Sequence, residues 1–173
     1  MSGIRIIRLE SADDPVFEKV YEWNYGWWGA RGGISPEEVR CTLAHSLNGR
    51  RLPQTFVALE DGRPVGMYQL SMIDDLYSRP DIYPWLIDVF VDPAARGRGV
   101  CAAMMATVPQ NARAAGLGEL FLYTGHAGLY ERFGWEFVGE VETFRPEDPR
   151  ARLYRLDLKT DRNGGNQNEL LRI

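Results

Sequence analysis

Leu86-Ile87-Asp88-Val89-Phe90-Val91 runs directly into Asp92-Pro93-Ala94-Ala95-Arg96-Gly97-Arg98-Gly99-Val100-Cys101-Ala102, and this stretch decides the fold. The first segment is apolar apart from Asp88, the pattern of a strand covered on both faces. Asp92-Pro93 ends the strand, and a helix is predicted from about Gly97 to Ala115, closed by Gly116. Between them lies a basic, glycine-rich turn. Such a turn at a helix start aims several backbone N–H groups at one point, at the positive end of the helix dipole, which makes an anion site suited to phosphate. Gly97 and Gly99 let a ligand approach the backbone, while Arg96 and Arg98 add charge. Neither common nucleotide fingerprint is present, since there is no Gly-Lys-Ser/Thr end and no full GxGxxG. On spacing alone, an ordinary strand-to-helix turn with solvated arginines stays open beside the phosphate site.

The same patterning organises the rest of the chain. Ile4 to Leu9 reads as a strand. Asp14-Pro15 is an N-cap with a first-turn proline, starting a helix that carries Phe17, Val20, Tyr21 and Asn24 toward Trp28 and is broken by Gly29, Gly32 and Gly33. Ser35-Pro36-Glu37-Glu38 is a capping box opening a helix with Val39, Leu43 and Leu47 on one face. Thr55–Leu59 and Val65–Met72 form a hairpin around Asp61-Gly62. Residues 73–83 are a polar loop. Beyond the central helix, which Pro109 should kink, Glu119–Thr124 is a strand. Ala127–Phe133 reads as a short helix, and Glu136–Val141 and Arg152–Leu158 as strands. The order β-α-α-β-β-β-α-β-α-β-β predicts an α/β fold with one mixed sheet and helices on both faces. One domain over residues 1–158 is expected, followed by a polar tail, 159–173.

Composition narrows the function classes. A chain of 173 residues with 45% hydrophobic and 25% charged residues is an ordinary globular protein, able to bury about 70% of its unfolded surface. The two cysteines, Cys41 and Cys101, form no metal knuckle, and the two histidines, His45 and His126, make no His-rich site; no metal is expected. The net charge of −4 argues against nucleic acid as a partner. No segment has the length of a membrane span and the N-terminal residues lack a signal-like apolar run, so no membrane partner and a cytoplasmic location are the expectation. Tyr21, Trp23, Tyr25, Trp27 and Trp28 crowd into eight residues. They are read either as an aromatic helix end packed on the core or as the wall of a small-molecule pocket.

Val89-Phe90-Val91-Asp92-Pro93-Ala94-Ala95-Arg96-Gly97-Arg98-Gly99-Val100-Cys101 resembles the acetyl-CoA-binding signature of the GNAT N-acetyltransferase superfamily, a strand followed by Arg/Gln-x-x-Gly-x-Gly/Ala and a helix. Leu129-Tyr130-Glu131-Arg132-Phe133-Gly134-Trp135 resembles the second signature, Leu-Tyr-x-x-x-Gly-Phe. The element order is similar from about residue 4 to 158. The resemblance implies a GNAT fold and an acetyl-CoA-dependent N-acetyltransferase acting on a small amine. It also implies that Val89, Phe90, Val91, Arg96, Gly97, Arg98, Gly99, Val100, Cys101 and Ala102 hold the coenzyme. The pantetheine arm would pair with free backbone where the strand of Val89 and Val91 splays from Glu119–Thr124. A backbone N–H near Val89 or Phe90 would act as an oxyanion hole, with Tyr130 as general acid. Small members of the family often pair, so a homodimer is the expected assembly. The alternative from another class is an acyl-CoA-binding sensor that does no chemistry.

Three positions depart from the pattern. Cys101 stands where Gly or Ala is usual, Tyr123 where many members have Asn, and Pro109 lies within the long helix. Cys101 reads as a small side chain or, at a helix N-terminus, as an activated nucleophile. Tyr130 reads as the general acid or as a packing aromatic. The base is open among His126, Asp88 and water. His126 titrates in the right range or caps the short helix. A carboxylate at Asp88, among apolar neighbours, has to be paired or face a cleft, and alternation turns it away from Val89. Asp74, Asp75 and Asp81 read as a solvated loop or as attractors of a cationic substrate. His45 reads as a surface or packing residue.

Overall fold

Local capping starts the first two helices where the sequence places them. In the computed structural model, which describes residues 3–143 and 149–159, the Asp14 carboxylate accepts from the Val16 amide at 2.9 Å and the Ser35 hydroxyl from the Glu38 amide at 3.1 Å. These bonds satisfy N–H groups that the first helical turn leaves without partners. Helix α1 spans Pro15–Asn24 and α2 spans Pro36–His45. Gly29 does not break the first helix as expected. The chain widens into a π-helical turn, Tyr25–Gly29, and continues through Ala30–Gly32. Gly29 is needed for another reason, because a Cβ there would lie 2.7 Å from Cγ2 of Val39 on α2.

Seven strands form one mixed sheet: β1 Ile4–Arg8, β2 Gln54–Glu60, β3 Arg63–Ser71, β4 Trp85–Val91, β5 Glu119–Thr124, β6 Glu136–Glu142 and β7 Arg150–Asp157. Their spatial order is β1-β2-β3-β4-β5-β7-β6, and every neighbouring pair is antiparallel except β4 and β5. Helix α3, Val100–Ala114, covers one face. Its Val100, Met104, Met105, Val108 and Ala112 pack with Tyr68, Leu86, Leu122 and Tyr154. On the opposite face, Phe17, Val20, Trp23 and Leu43 from α1 and α2 pack with Val57, Met67 and Phe90. β2 and β3 are buried along nearly their whole length, as expected of strands covered on both faces.

Two further boundaries differ from expectation. Helix α3 begins at Val100, leaving the Arg96–Gly99 turn outside it. The short helix predicted over 127–133 is a 3-10 turn, Tyr130–Phe133, because Gly128 has a positive φ of 77° that a right-handed helix excludes. The tail from residue 160 onward lies outside the described residues. No helix among the described residues is long and apolar enough to cross a membrane.

Pro109 stays within α3 without ending it, so one N–H bond to the preceding turn is missing. Replacing it with alanine restores that donor and removes the ring clash. After allowing for the freer unfolded chain, Pro109→Ala is expected to stabilise the protein by about 2 kcal/mol in urea unfolding.

Candidate active site

The site begins where two strands part. β4 and β5 pair only at Trp85 and Phe121, supported by the Phe121 amide donating to the Pro84 carbonyl at 2.9 Å. From Ile87 onward β4 has no β5 partner, and a wedge opens along Val89 and Val91. The other edge of β4 stays paired with β3, where Gln69 faces Ile87 and Met67 faces Phe90. One residue of β3, Tyr68, therefore spans two of β4, Asp88 and Val89. This is a β-bulge, and Asp88 takes φ 53° there. Val89 and Val91 pack toward the α3 face, whereas Phe90 is buried on the α1–α2 face. Asp88 lines a cavity on that same α1–α2 face.

The turn after β4 is built for donors. Asp92 caps the 3-10 turn Pro93–Ala95 by accepting from the Ala94 amide at 2.9 Å. Arg96 Nε donates back to the Val91 carbonyl at 3.2 Å, fastening the turn to the strand end. Arg98 forms an ion pair with Glu60 at 3.0 Å, which offsets part of its charge. Gly97 and Gly99 have φ of 78° and 82°, and a Cβ on either would meet nothing within 4 Å. The first backbone bond of α3 runs from the Ala103 amide to the Gly99 carbonyl at 2.9 Å. Among the described residues, the amides of Gly97, Arg98, Gly99, Val100, Cys101 and Ala102 donate to no protein acceptor. A run of free amides beside open space at a helix N-terminus suits a phosphate anion.

Tyr130 is 6% exposed, between Trp135 and Tyr154 with ring centroids 6.1 Å from each. Burial pushes its phenol well above the usual range, and the neighbouring Cys101 adds to the shift. Burial likewise pushes the Cys101 thiol up, against the pull of Arg132. That direction favours the small-side-chain reading of Cys101 over an activated thiolate. His45 and His126 are both exposed. His126 does not cap the 3-10 turn, which begins without a side-chain cap.

The loop carboxylates separate into two groups. Asp81 is bound by Arg79 at 2.8 Å, which holds its carboxyl below the usual range. Asp75 accepts from the Tyr123 hydroxyl, so the residue standing where Asn is usual ties the loop to β5. Burial pushes Asp74 up to about 8, and the charges of Asp75 and Asp88 add to that. Asp74 thus feels the charges of both Asp75 and Asp88. Among the described residues, no three His, Cys, Asp or Glu side chains gather as a metal would require.

The aromatic segment divides its work. Phe90 is ringed by Trp23, Trp27 and Trp28 at 5.3, 5.5 and 6.2 Å. Trp23 is buried core, and Trp28 reaches the cavity. Among the lining residues that the sequence does not mark as a site are two carboxamides, Asn24 and Gln69. Their only signal was a polar side chain at an inward position of a helix and of a strand.

The family model described as acetyltransferase (GNAT) family matches residues 17–135. No curated protein matches the chain. Among solved structures, an N-acetyltransferase from Staphylococcus aureus Mu50 is similar, at TM-score 0.66 and 17% identity, with 91% of this chain and 100% of that chain covered. A GNAT family acetyltransferase from Elizabethkingia anophelis with acetyl-CoA bound has TM-score 0.62 and 15% identity, with coverage of 89% and 97%. An aminoglycoside 6'-acetyltransferase type Ii has TM-score 0.66 and 15% identity, again covering 89% and 97%. At these identities the likeness is one of fold.

The state of Asp74 is accessible to measurement. Folded, it keeps its proton to about pH 8; its ordinary value is 3.8. Between those values unfolding releases a proton, so its contribution to stability is present below about pH 4 and is lost as pH rises through about 8. Asp74→Asn removes that loss. Its melting temperature relative to the parent protein is expected to rise by several degrees between pH 5 and pH 9.

Proposed function

Because the chain belongs to the acetyltransferase (GNAT) family, we propose that it transfers the acetyl group of acetyl-CoA directly onto a small amine. The observation that carries this reading is the wedge between β4 and β5, which leads into the run of free amides at Gly97–Ala102. The residues present fit the coenzyme. Open space beside Gly97 and Gly99 leaves the turn accessible to a pyrophosphate, and the unpaired half of β4 offers backbone groups to a pantetheine arm.

Acetyl-CoA supplies a thioester whose acetyl carbon accepts a nitrogen nucleophile. The chain's residues then have separate roles. Gly97, Arg98, Gly99, Val100, Cys101 and Ala102 bind phosphate through their amides, with Arg96 holding the turn in place. Val89, Phe90 and Val91 align the thioester, and an amide at Val89 or Phe90 stabilises the charge developing on the carbonyl oxygen. The Asp88 carboxylate draws an ammonium toward β4 and takes its proton, while Asp74, which holds its own proton to about pH 8, adds no charge of its own below that pH. The amine nitrogen forms the C–N bond as the C–S bond breaks. The Tyr130 phenol protonates the departing sulfur, and a proton from the acetylated nitrogen returns to the phenolate through solvent. The raised pKa of Tyr130 keeps it protonated for this task.

Two measurements test the reading. Acetyl-CoA and CoA, each at a hundred times its dissociation constant, are expected to stabilise the protein by about 2.7 kcal/mol in thermal melts, with ATP and NADH giving no shift. No shift with either coenzyme form would overturn it. Tyr130→Phe is expected to slow thiol release about a hundredfold while keeping the acetyl-CoA shift. An undiminished rate would remove Tyr130 as the acid.

A further inference from the structure

A cavity of about 200 Å³ lies between α1, the π-helical turn and α2 on one side and β3 and β4 on the other. It is lined by two carboxamides that the chemistry above does not use, Asn24 at 8% exposure and Gln69 at 5%. Neither side chain has a hydrogen-bond partner among the described residues. A carboxamide carries both donors and acceptors, and these two open onto the cavity, where they are available to a polar ligand. Asp88 and, from α2, Glu38 line the same space, and no Lys, Arg or His does. Trp28 and Leu43 supply apolar wall.

We propose that the acceptor is a small primary amine without a carboxylate, its ammonium held by Asp88 with Asn24 and Gln69 and its hydrocarbon stem against Trp28 and Leu43. The inference rests on the acetyltransferase reading and names the acceptor class within it. Asp88 immediately precedes Val89 in the chain, so an amine held there stands beside the strand that aligns the thioester. An amino acid would bring a carboxylate into a space lined by two carboxylates and no cation, which repels it. The cavity is smaller than the roughly 300–1,000 Å³ of pockets that enclose drug-sized ligands, so it admits a small amine or one arm of a larger one.

The test uses the full chain with saturating acetyl-CoA and three matched pairs: phenethylamine with phenylalanine, tryptamine with tryptophan, and putrescine with ornithine. For at least one pair, kcat/KM from thiol release is expected to favour the amine by about thirtyfold or more. Asp88→Asn is compatible with φ 53°, because Asn tolerates the left-handed region, and Gln69→Leu keeps the side-chain volume. Each is expected to raise KM for the amine about tenfold while leaving the acetyl-CoA melt shift intact. Calorimetric titration of the amines into CoA-loaded and free protein gives a readout independent of turnover.

Equal or better use of the amino acids would overturn the proposal, as would an unchanged amine KM in both variants. An acetyl-CoA shift with no amine bound or acetylated would overturn it while leaving the acetyltransferase reading standing. Absence of the acetyl-CoA shift would instead overturn that reading, and the titrations of free protein would then decide the cavity's preference by themselves, preference for the amine supporting it and no preference overturning it.

Discussion

The single parallel pair between β4 and β5, Trp85 with Phe121, is the constraint on which the rest of the structure depends. Strand hydrogen bonds are normally completed along the whole ladder, because an unmet backbone group is costly away from water. Here they stop after one pair, and the chain holds β4 in place by other means. β3 pairs along its opposite edge, α3 packs beneath Val89 and Val91, and Phe90 is wedged among three tryptophans. The aromatic segment thus acts as a buttress for a half-paired strand as well as a pocket wall. Arg96 performs the same service at the strand's end by holding the Val91 carbonyl.

The bulge at Asp88 follows from the same arrangement. It places Asp88 and Phe90 on the side of α1 and α2, while Val89 and Val91 stay toward α3. One strand therefore presents a backbone edge on one side and a carboxylate on the other, and under the proposed function the coenzyme and the amine would meet at the bulge. Tyr123 ties Asp75 of the preceding loop to β5.

Legibility in the sequence tracked how local each signal was. Asp14-Pro15 and Ser35-Pro36 announce their helices because a cap is satisfied within three residues, and Arg96-Gly97-Arg98-Gly99 announces a donor-rich turn for the same reason. The parting of β4 from β5 has no such signal. It is a property of two strands separated by a helix, and it was expected only from the family resemblance. Alternation placed Asp88 opposite Val89 correctly, yet it gave no sign of the bulge or of the cavity that receives the side chain. Asn24 and Gln69 were hidden among apolar neighbours, since a polar residue in a regular element reads as surface until its surroundings are known. The helix expected over 127–133 failed at Gly128, whose backbone conformation outweighed the apolar spacing around it.

An unpaired strand edge is also a place where a foreign extended chain can attach itself. The open half of β4 is protected by its setting. It lies within the sheet, and the wedge closes to nothing at Trp85 and Phe121. A regular β-strand needs constant spacing of about 4.8 Å from each neighbour, which a tapering slot cannot provide along its length. A slender, jointed ligand can follow the taper. A half-paired edge that starts from a closed end inside the sheet therefore resists self-association by its shape, without spending any charge on the task.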